Sequence, residues 1–234
     1  KNICAYTMPG FGTSKRTNKN AKELAGAMGV NIEEINIAKG VEQQFKDIGH
    51  DGVKDDIVYE NSQARYRTLT LMDKANQING LVIGTGDLSE IALGWNTYTG
   101  DHIAHYNVNC SVPKTLVKYL IKWAADNQVD KKSGKVLEDI LATPISPELK
   151  KAENGKITHK TEDLIGPYEL HDFFLYHFLR WGSSPRKILF LTKIAWGKKY
   201  SDSELKKWLT MFLERFFKSQ WKRSVSTDGP KVGS

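Results

Sequence analysis

The first forty residues alternate between two hydrophobic periods. Residues 3–8 are typical of a strand, and residues 32–37 alternate well enough to predict a second strand, with Ile35 and Ile37 facing inward. Between them, residues 18–28 repeat apolar residues at helical spacing and end at Gly29. A strand, a helix and a second strand in this order predict a βαβ unit with parallel strands.

A second pattern surrounds the apolar run Leu81–Ile83, which has glycines on both sides. A short run of this kind predicts a buried strand of a parallel sheet. Gly84 and Gly86 give the backbone freedom just after the strand, where a helix is predicted to begin with Ser89 or Asp87 as its cap. The fold class indicated is therefore α/β, with ligands expected at the ends of the parallel strands.

The residues after this strand carry candidate chemistry. Thr85 offers a hydroxyl, and Asp87 and Glu90 offer carboxylates, which together are the groups that hold a phosphate and its magnesium. An ordinary strand, turn and helix with a solvated acidic cap explains the same pattern equally well. Both interpretations stay open on this segment alone.

Two later helices contain basic residues of interest. Asn61, Arg65 and Arg67 lie near the start of a helix predicted over 55–76, and two arginines two positions apart do not share a helical face. At most one of these arginines is therefore expected to reach a ligand, and a solvated or salt-bridged surface position is the alternative for each. Lys114 lies in the first turn of a helix opened by Pro113, where a cation is unfavourable unless an anion is near.

From residue 161 onward the chain is rich in aromatic residues at helical spacing. Core or interface packing explains this pattern better than a cofactor site does. His171 and His177 are accordingly expected to be packing residues, because no nucleophile accompanies them at a catalytic spacing. A mainly helical, aromatic-rich part is predicted over 160–222.

Composition narrows the class of protein. The 234 residues carry a net charge of +7, and the basic residues are spread along the chain, so a nucleic-acid partner is not predicted. Cys4 and Cys110 fit neither a metal nor a redox spacing, and zinc held by His102, His105 and Cys110 matches no standard pattern. Free thiols indicate a reducing, cytoplasmic location, and no apolar run is long enough to predict membrane insertion.

Taken together, several blocks resemble one family, the synthetase domain of NAD synthetase, and two later blocks resemble its bacterial glutamine-dependent branch. The first blocks are Thr7–Ser14, Tyr59–Arg65, Gly80–Glu90, Trp95–Asp101, Val112–Thr115 and Thr143–Leu149; the later ones are Glu162–Phe174 and Lys222–Ser234. The resemblance covers nearly the whole chain, so residues 1–234 are expected to form one synthetase domain.

This resemblance implies an adenine nucleotide α-hydrolase-like, Rossmann-like fold, in which a three-layer parallel sheet has helices on both sides. It implies ATP and Mg²⁺ as cofactors and a homodimer or larger homo-oligomer. It also implies an ATP-dependent reaction that adenylates deamido-NAD, after which ammonia from glutamine displaces AMP and forms NAD. A carboxylate is a poor electrophile, and the mixed anhydride with AMP overcomes this.

The resemblance also assigns residues, none of them a covalent catalyst. Thr85 and Lys114 match ATP-binding positions, and Glu90 matches a carboxylate that contacts the metal or the dinucleotide. The other positions implied for deamido-NAD binding are Asn61, Arg65, Trp95, Asn96, Thr97, Tyr98 and Lys222.

One departure is large. The family's pyrophosphate loop, Ser-Gly-Gly-x-Asp-Ser, should precede the first strand and is absent from the sequence, as is the glutaminase domain of the glutamine-dependent branch. The chain is therefore expected to be a catalytically incomplete fragment that is inactive alone. The alternatives are another ligase of the ATP-pyrophosphatase fold, such as a thiouridylase or a GMP-synthetase type, and a non-catalytic dimerising domain.

Overall fold

The computed structural model describes residues 2–146, 148–149 and 161–232. In chain order its elements are β1 Cys4–Thr7, α1 Lys15–Ala27, β2 Asn31–Glu34, α2 Ala38–Asp47, α3 Ile57–Gln77, β3 Ile83–Gly84, α4 Leu88–Leu93, β4 Tyr106–Asn107, α5 Lys114–Asn127, α6 Lys131–Leu141, α7 Thr161–Ile165, α8 Tyr168–Leu175, α9 Pro185–Trp196, α10 Asp202–Lys218 and α11 Gln220–Arg223, with a π-helical turn at Tyr176–Arg180 between α8 and α9. These elements confirm an α/β chain with parallel strands.

The described residues divide into two compact units. The first contains the described residues of 1–82, 99–101 and 118–160, and the second contains those of 83–98, 102–117 and 161–234. The resemblance blocks at 143–149 and 222–234 include Pro147, Gly233 and Ser234, and the part predicted over 160–222 includes Lys160; these four residues lie outside the described residues.

The βαβ prediction is confirmed in the first unit. Strands β1 and β2 pair in parallel with Ala5 opposite Ile32, and α1 connects them. Hydrogen bonding continues past β2, because the Ile37 amide donates to the Pro9 carbonyl over 3.1 Å. Ile37 is thereby inserted into a core that it forms with the buried residues Val41, Phe45 and Tyr59. The aromatic rings of this core pack at centroid distances of 5.4 to 6.2 Å.

The β1–α1 loop is held by side chains from α3. Gln63 is fully buried, and its amide oxygen accepts from the Phe11 amide while its amide nitrogen donates to the Leu149 carbonyl. The Glu148 carboxylate accepts from the Ser14 amide and hydroxyl at the N-terminus of α1. The Gly-rich loop is therefore fixed by partners that are far away in sequence.

In the second unit, β3 pairs in parallel with β4, with Ile83 opposite Tyr106. The prediction that Leu81–Ile83 forms a buried strand is wrong: Leu81 is 70% exposed and Ile83 is 53% exposed. The strand is also shorter, with only Ile83 and Gly84 in it. Within the described residues β3 has one neighbouring strand, and a strand in a two-stranded sheet keeps much of its surface accessible.

The predicted helical, aromatic-rich part forms the core of the second unit. Helices α8, α9 and α10 pack together around fully buried Phe174, Ile188 and Phe212. The ring of Phe212 lies 5.8 Å from that of Phe174 and 6.1 Å from that of His171, so these buried residues pack in the core as predicted, whereas Tyr176, Trp181, Phe190 and Phe217 are more than half exposed. No helix in the described ranges is long and apolar enough to cross a membrane.

Candidate functional site

The candidate site begins at the loop after β3. Gly84 lies so close to β4 that a Cβ atom there would approach the Ala104 side chain to 2.8 Å, which explains the need for glycine. The Asn107 side chain donates to the Gly86 carbonyl over 2.8 Å and closes the loop. Thr85 lies exposed on the same loop, two residues before Asp87.

Asp87 caps the N-terminus of α4, and it was one of the two residues predicted for this position. Its carboxylate accepts from the Glu90 amide over 2.9 Å, and the Glu90 carboxylate accepts from the Asp87 amide over 3.2 Å. This reciprocal arrangement is a capping box, which satisfies otherwise unpaired amides at a helix start. The predicted alternative cap, Ser89, is the second residue of α4, and its hydroxyl caps another helix.

That other helix is α5. The Ser89 hydroxyl accepts from the Lys114 amide over 2.9 Å, and the Asp172 carboxylate accepts from the Thr115 amide over 2.8 Å. The Ser89 hydroxyl itself donates to Asp172. The N-terminus of α5 is therefore capped by side chains from α4 and α8, and a carboxylate at this end is favoured by the helix dipole.

Lys114 joins the two carboxylates of the capping box. Its ammonium lies 2.5 Å from an oxygen of Asp87 and 2.6 Å from an oxygen of Glu90. The side chains of Asp87 and Lys114 are 3% and 16% exposed, so this ion pair is largely removed from water. The cation that looked unfavourable at the start of α5 is therefore stabilised by anions from α4.

The electrostatics of this group follow from its burial. Burial, and then the charge of Glu90, raise the pKa of Asp87 to about 6, against the opposing effect of Lys114. Burial would lower the pKa of Lys114, but the charges of Glu90 and Asp87 outweigh it and raise that pKa above its usual value. Burial also raises the pKa of Asp172.

The segment after α4 is held by the C-terminal helices. The Lys222 ammonium donates to the carbonyls of Gly94 and Asn96 over 2.9 and 2.6 Å, and the Arg215 guanidinium lies 4.9 Å from the ring centre of Trp95. A carbonyl-rich helix end is a favourable position for a cation. Lys222 lies on α11 rather than in a loop.

The last two residues of the predicted run, Thr97 and Tyr98, continue this segment. The Thr97 carbonyl lies 3.0 Å from Nδ1 of the buried His102. The Tyr98 ring lies 4.8 Å from that of Trp221, the neighbour of Lys222 on α11. Residues 95–98 are therefore ordered by contacts with two helices that come much later in the chain.

Asn61 and Arg65 belong to the first unit and lie one turn apart on α3. Arg65 is exposed, whereas Arg67 is directed at the β1–α1 loop, where it donates to the Met8 carbonyl and the Thr13 hydroxyl. Whether Arg65 reaches a ligand stays a prediction, since these contacts concern Arg67 alone. Arg67 therefore stabilises the β1–α1 loop.

The structure thus brings some of the predicted residues together. Glu90 and Lys114 are in direct contact, Thr85 lies on the loop before them, and Trp95–Tyr98 form one segment with Lys222. Sequence reasoning gave no role to Asp172 or Tyr168, which contact or surround the same group. Their signal was a carboxylate and a phenol among the four Leu and Phe residues of α8, a helix that also contains Glu169 and His171.

The buried His171 gives the second unit a pH dependence. Burial lowers its pKa from 6.5 to about 4. The unfolded chain therefore takes up a proton before the folded chain does, and the stabilisation present above pH 6.5 is lost as the pH falls toward 4. We expect this one residue to remove about 3 kcal/mol from the free energy of unfolding across that window.

Urea unfolding of wild type and His171→Gln at several pH values between 7.5 and 4 measures this contribution. The variant should lose less stability on acidification than wild type does, whatever its stability at pH 7.5. Because the pKa of folded Asp87 is raised to about 6, its protonation increases stability as the pH falls from 6 toward 3.8. This effect opposes that of His171 and is the same in wild type and variant. Equal losses in the two proteins would show that His171 is not the source.

Parallel strands connected through helices, with a loop and a helix N-terminus after β3, define the chain as an α/β domain, a class in which ligands bind at strand ends. A sequence profile of the NAD synthase family matches residues 1–224. The chain belongs to the NAD synthase family.

The relatives agree with this assignment. A curated glutamine-dependent NAD(+) synthetase from Mycobacterium leprae is 45% identical over 98% of the chain, and another from Xanthomonas campestris is 30% identical over 99%. The chain spans 37% and 39% of the lengths of these two proteins.

Solved structures share the fold. A glutamine-dependent NAD(+) synthetase from Cytophaga hutchinsonii has a TM-score of 0.73 at 21% identity, covering 97% of this chain and 35% of that one. The corresponding enzyme from Acinetobacter baumannii, in complex with ADP, has a TM-score of 0.54 at 23% identity, covering 98% and 38%. These likenesses confirm the expected NAD synthetase fold.

Proposed function

We propose that the chain is the synthetase part of a glutamine-dependent NAD synthetase, which uses ATP to amidate deamido-NAD with ammonia supplied from glutamine. Family membership supports this reaction, and the ADP complex of the Acinetobacter relative supports an adenine nucleotide as ligand. The observation that carries the proposal is the contact of Lys114 with Asp87 and Glu90 at the end of β3.

In this proposal different residues bind the phosphates of ATP and the magnesium ion. Lys114 and Thr85 bind the phosphates of ATP, and Glu90 would hold Mg²⁺, which would offset the charge of the phosphates. The carboxylate of deamido-NAD attacks the α-phosphorus of ATP, and pyrophosphate leaves. Carboxylate oxygens are suitable magnesium ligands, and the cation-binding geometry already exists, since these oxygens hold the Lys114 ammonium.

The dinucleotide is assigned to two sets of residues. Trp95, Asn96, Thr97 and Tyr98 bind it together with Glu90 and Lys222, all in the second unit. The resemblance separately assigns Asn61 and Arg65, in the first unit, to deamido-NAD. The ammonium of Lys222 holds the carbonyls of residues 94 and 96, so we assign it a positioning role for this segment as well as a ligand contact. Asn96 is a suitable ligand residue, because its side-chain oxygen is buried and finds no hydrogen-bond partner among the described residues.

The working unit in this proposal is a cytoplasmic homodimer or larger homo-oligomer. Exposed apolar residues on α5, including Tyr119 and Trp123 at 66% and 46% exposure, support an association surface. Cys4 and Cys110 are both free thiols, in keeping with a reducing compartment.

Calorimetric titration of the 234-residue chain with deamido-NAD tests the proposal. Glu90→Gln keeps the shape and the capping acceptor but removes a charge, and we expect it to weaken binding about tenfold to hundredfold. Glu214→Gln is the matched control, since Glu214 is 59% exposed on α10 and pairs only loosely with Lys218. It should bind as wild type does.

The same titration separates the alternatives. A ligase of this fold that acts on tRNA would bind tRNA and be indifferent to Trp95→Ala, whereas the proposed synthetase should lose affinity for deamido-NAD in that variant. A non-catalytic dimerising domain would bind deamido-NAD in neither wild type nor Glu90→Gln. Absence of binding in wild type would overturn the proposed substrate.

A further inference from the structure

Two carboxylates on α4, Asp87 and Glu90, hold one cation between them. We call these two side chains the carboxylate pair. The cation in the structure is the Lys114 ammonium, at 2.5 and 2.6 Å from the two oxygens. Both distances are those of close ion pairs, so the pair already has the spacing to bind a cation.

The charges around the pair do not balance. Asp172 is a third carboxylate in the field of Lys114, and its own contacts are the Ser89 hydroxyl and the Thr115 amide. Three acidic side chains therefore share one ammonium and the positive end of α5. A divalent cation in place of the ammonium would offset more of this negative charge.

Tyr168 supplies an independent sign of a missing ligand. Its side chain is 1% exposed, and its hydroxyl finds no hydrogen-bond partner among the described residues. The Lys114 ammonium lies 5.6 Å from the ring centre, and after burial the charges of Glu90, Asp87 and Asp172 raise the pKa of the phenol. A buried, unpaired hydroxyl among carboxylates is costly unless a ligand or its water completes it.

We propose that Lys114 is an internal substitute for the divalent cation: it occupies the site formed by Asp87 and Glu90 until a phosphate-bearing ligand and a cation arrive, and then moves to the phosphate. This inference rests on the proposed function and adds Asp87 as a second carboxylate for the cation. Among the residues that the structure describes, no group of three or more His, Cys, Asp or Glu side chains could hold a metal ion. Two carboxylates completed by phosphate oxygens and water are what Mg²⁺ commonly uses.

The exchange keeps every charge paired. A phosphate oxygen that replaces the carboxylates as the partner of Lys114 favours its release, and release of the carboxylate pair favours entry of the cation. Cation and phosphate binding therefore strengthen each other, and the cation alone displaces Lys114 only in part. Tyr168 is the neutral donor that remains beside the site after Lys114 has moved.

Titration with Mn²⁺ in the absence of nucleotide tests the exchange. The wild-type site is available to a cation only in the small fraction of molecules in which Lys114 has left, which lowers its apparent affinity by that fraction. In Lys114→Met the competitor is absent, and we expect Mn²⁺ to bind at least about tenfold more tightly, as measured by electron paramagnetic resonance of the free ion.

The chain offers a matched control. Lys122 also bridges two carboxylates, Asp126 and Glu138, at 2.6 and 3.2 Å, but all three side chains are about half exposed. Lys122→Met should not create a comparable Mn²⁺ site, because exposed carboxylates stay hydrated. Adding Asp87→Asn to Lys114→Met should abolish the gain, and adding Tyr168→Phe should reduce it.

A measurement on wild type avoids dependence on the folding of the variant. Mg²⁺ should release part of Lys114 from the carboxylate pair and raise its rate of reductive methylation, read by peptide mass spectrometry. The exposed Lys187, on α9, serves as the internal reference. No change at Lys114, together with unchanged Mn²⁺ affinity in Lys114→Met, would overturn the proposal.

Failure of this inference is distinguishable from failure of the proposed function. If Lys114→Met binds Mn²⁺ more tightly but wild type does not bind deamido-NAD, the exchange stands and the substrate assignment fails. If deamido-NAD binds but removal of Lys114 leaves Mn²⁺ affinity unchanged, the substrate assignment stands and Lys114 is not a substitute for the cation.

Discussion

Lys114→Met should lower the free energy of unfolding by about 3–5 kcal/mol in a buffer without divalent cations. Methionine retains much of the aliphatic stem, so the loss comes from charge rather than volume. Asp87 and Glu90 would then face each other without a counter-ion, and the Asp87 side chain is only 3% exposed. Leaving a buried charge unpaired is among the most destabilising single changes known.

A triple variant tests the reason for the loss. Asp87→Asn and Glu90→Gln, added to Lys114→Met, remove the charges that Lys114 compensated and keep similar shapes. Urea unfolding should show that the triple variant recovers a large part of the stability that Lys114→Met loses. If the triple variant is less stable than Lys114→Met, the ion pair is not what makes Lys114 necessary.

Gly94→Ala should be strongly destabilising although it adds only one methyl group. Gly94 ends α4 with a φ of 58°, and a Cβ atom there would lie 2.2 Å from Cβ of Ser219. Left-handed backbone costs a non-glycine residue about 1 kcal/mol, and the collision adds about 1–3 kcal/mol. We therefore expect a loss of about 2–4 kcal/mol in urea unfolding, with weaker deamido-NAD binding because Lys222 must shift with Ser219.

Gly182→Ala is the control for the backbone cost alone. Gly182 has a φ of 56°, and a Cβ atom there would have no atom within 4 Å. This variant should lose only about 1 kcal/mol and bind deamido-NAD as wild type does. Equal losses in the free energy of unfolding of the two alanine variants would show that a Cβ atom at position 94 does not collide with Ser219.

Local sequence patterns predicted the first unit well. The βαβ order and the inward position of Ile37 follow from the spacing of apolar residues over a few positions. Each segment contains the whole pattern that predicts its own structure. The cap at Asp87 was predictable for the same reason. The prediction of a buried strand at Leu81–Ile83 was wrong because an apolar run does not determine how many other strands and helices will cover it.

The candidate site was only partly predictable. Lys114 was notable because a cation at a helix start needs an anion, and the resemblance placed it near ATP. Its actual partners could not be read from the sequence, since Glu90 lies 24 positions away and Ser89 meets Asp172 across 83 positions. Such contacts depend on how α4, α5 and α8 pack, which no local pattern records.

The bonds from Lys222 to the carbonyls of Gly94 and Asn96 have a consequence for synthesis on the ribosome. They join positions 128 and 126 residues apart, and the Arg215 bond to Leu93 spans 122. Closing loops of that length is slow and entropically costly, so these contacts form late. The βαβ unit at the start of the chain can fold while translation continues, whereas residues 83–98 must wait for α10 and α11 to emerge.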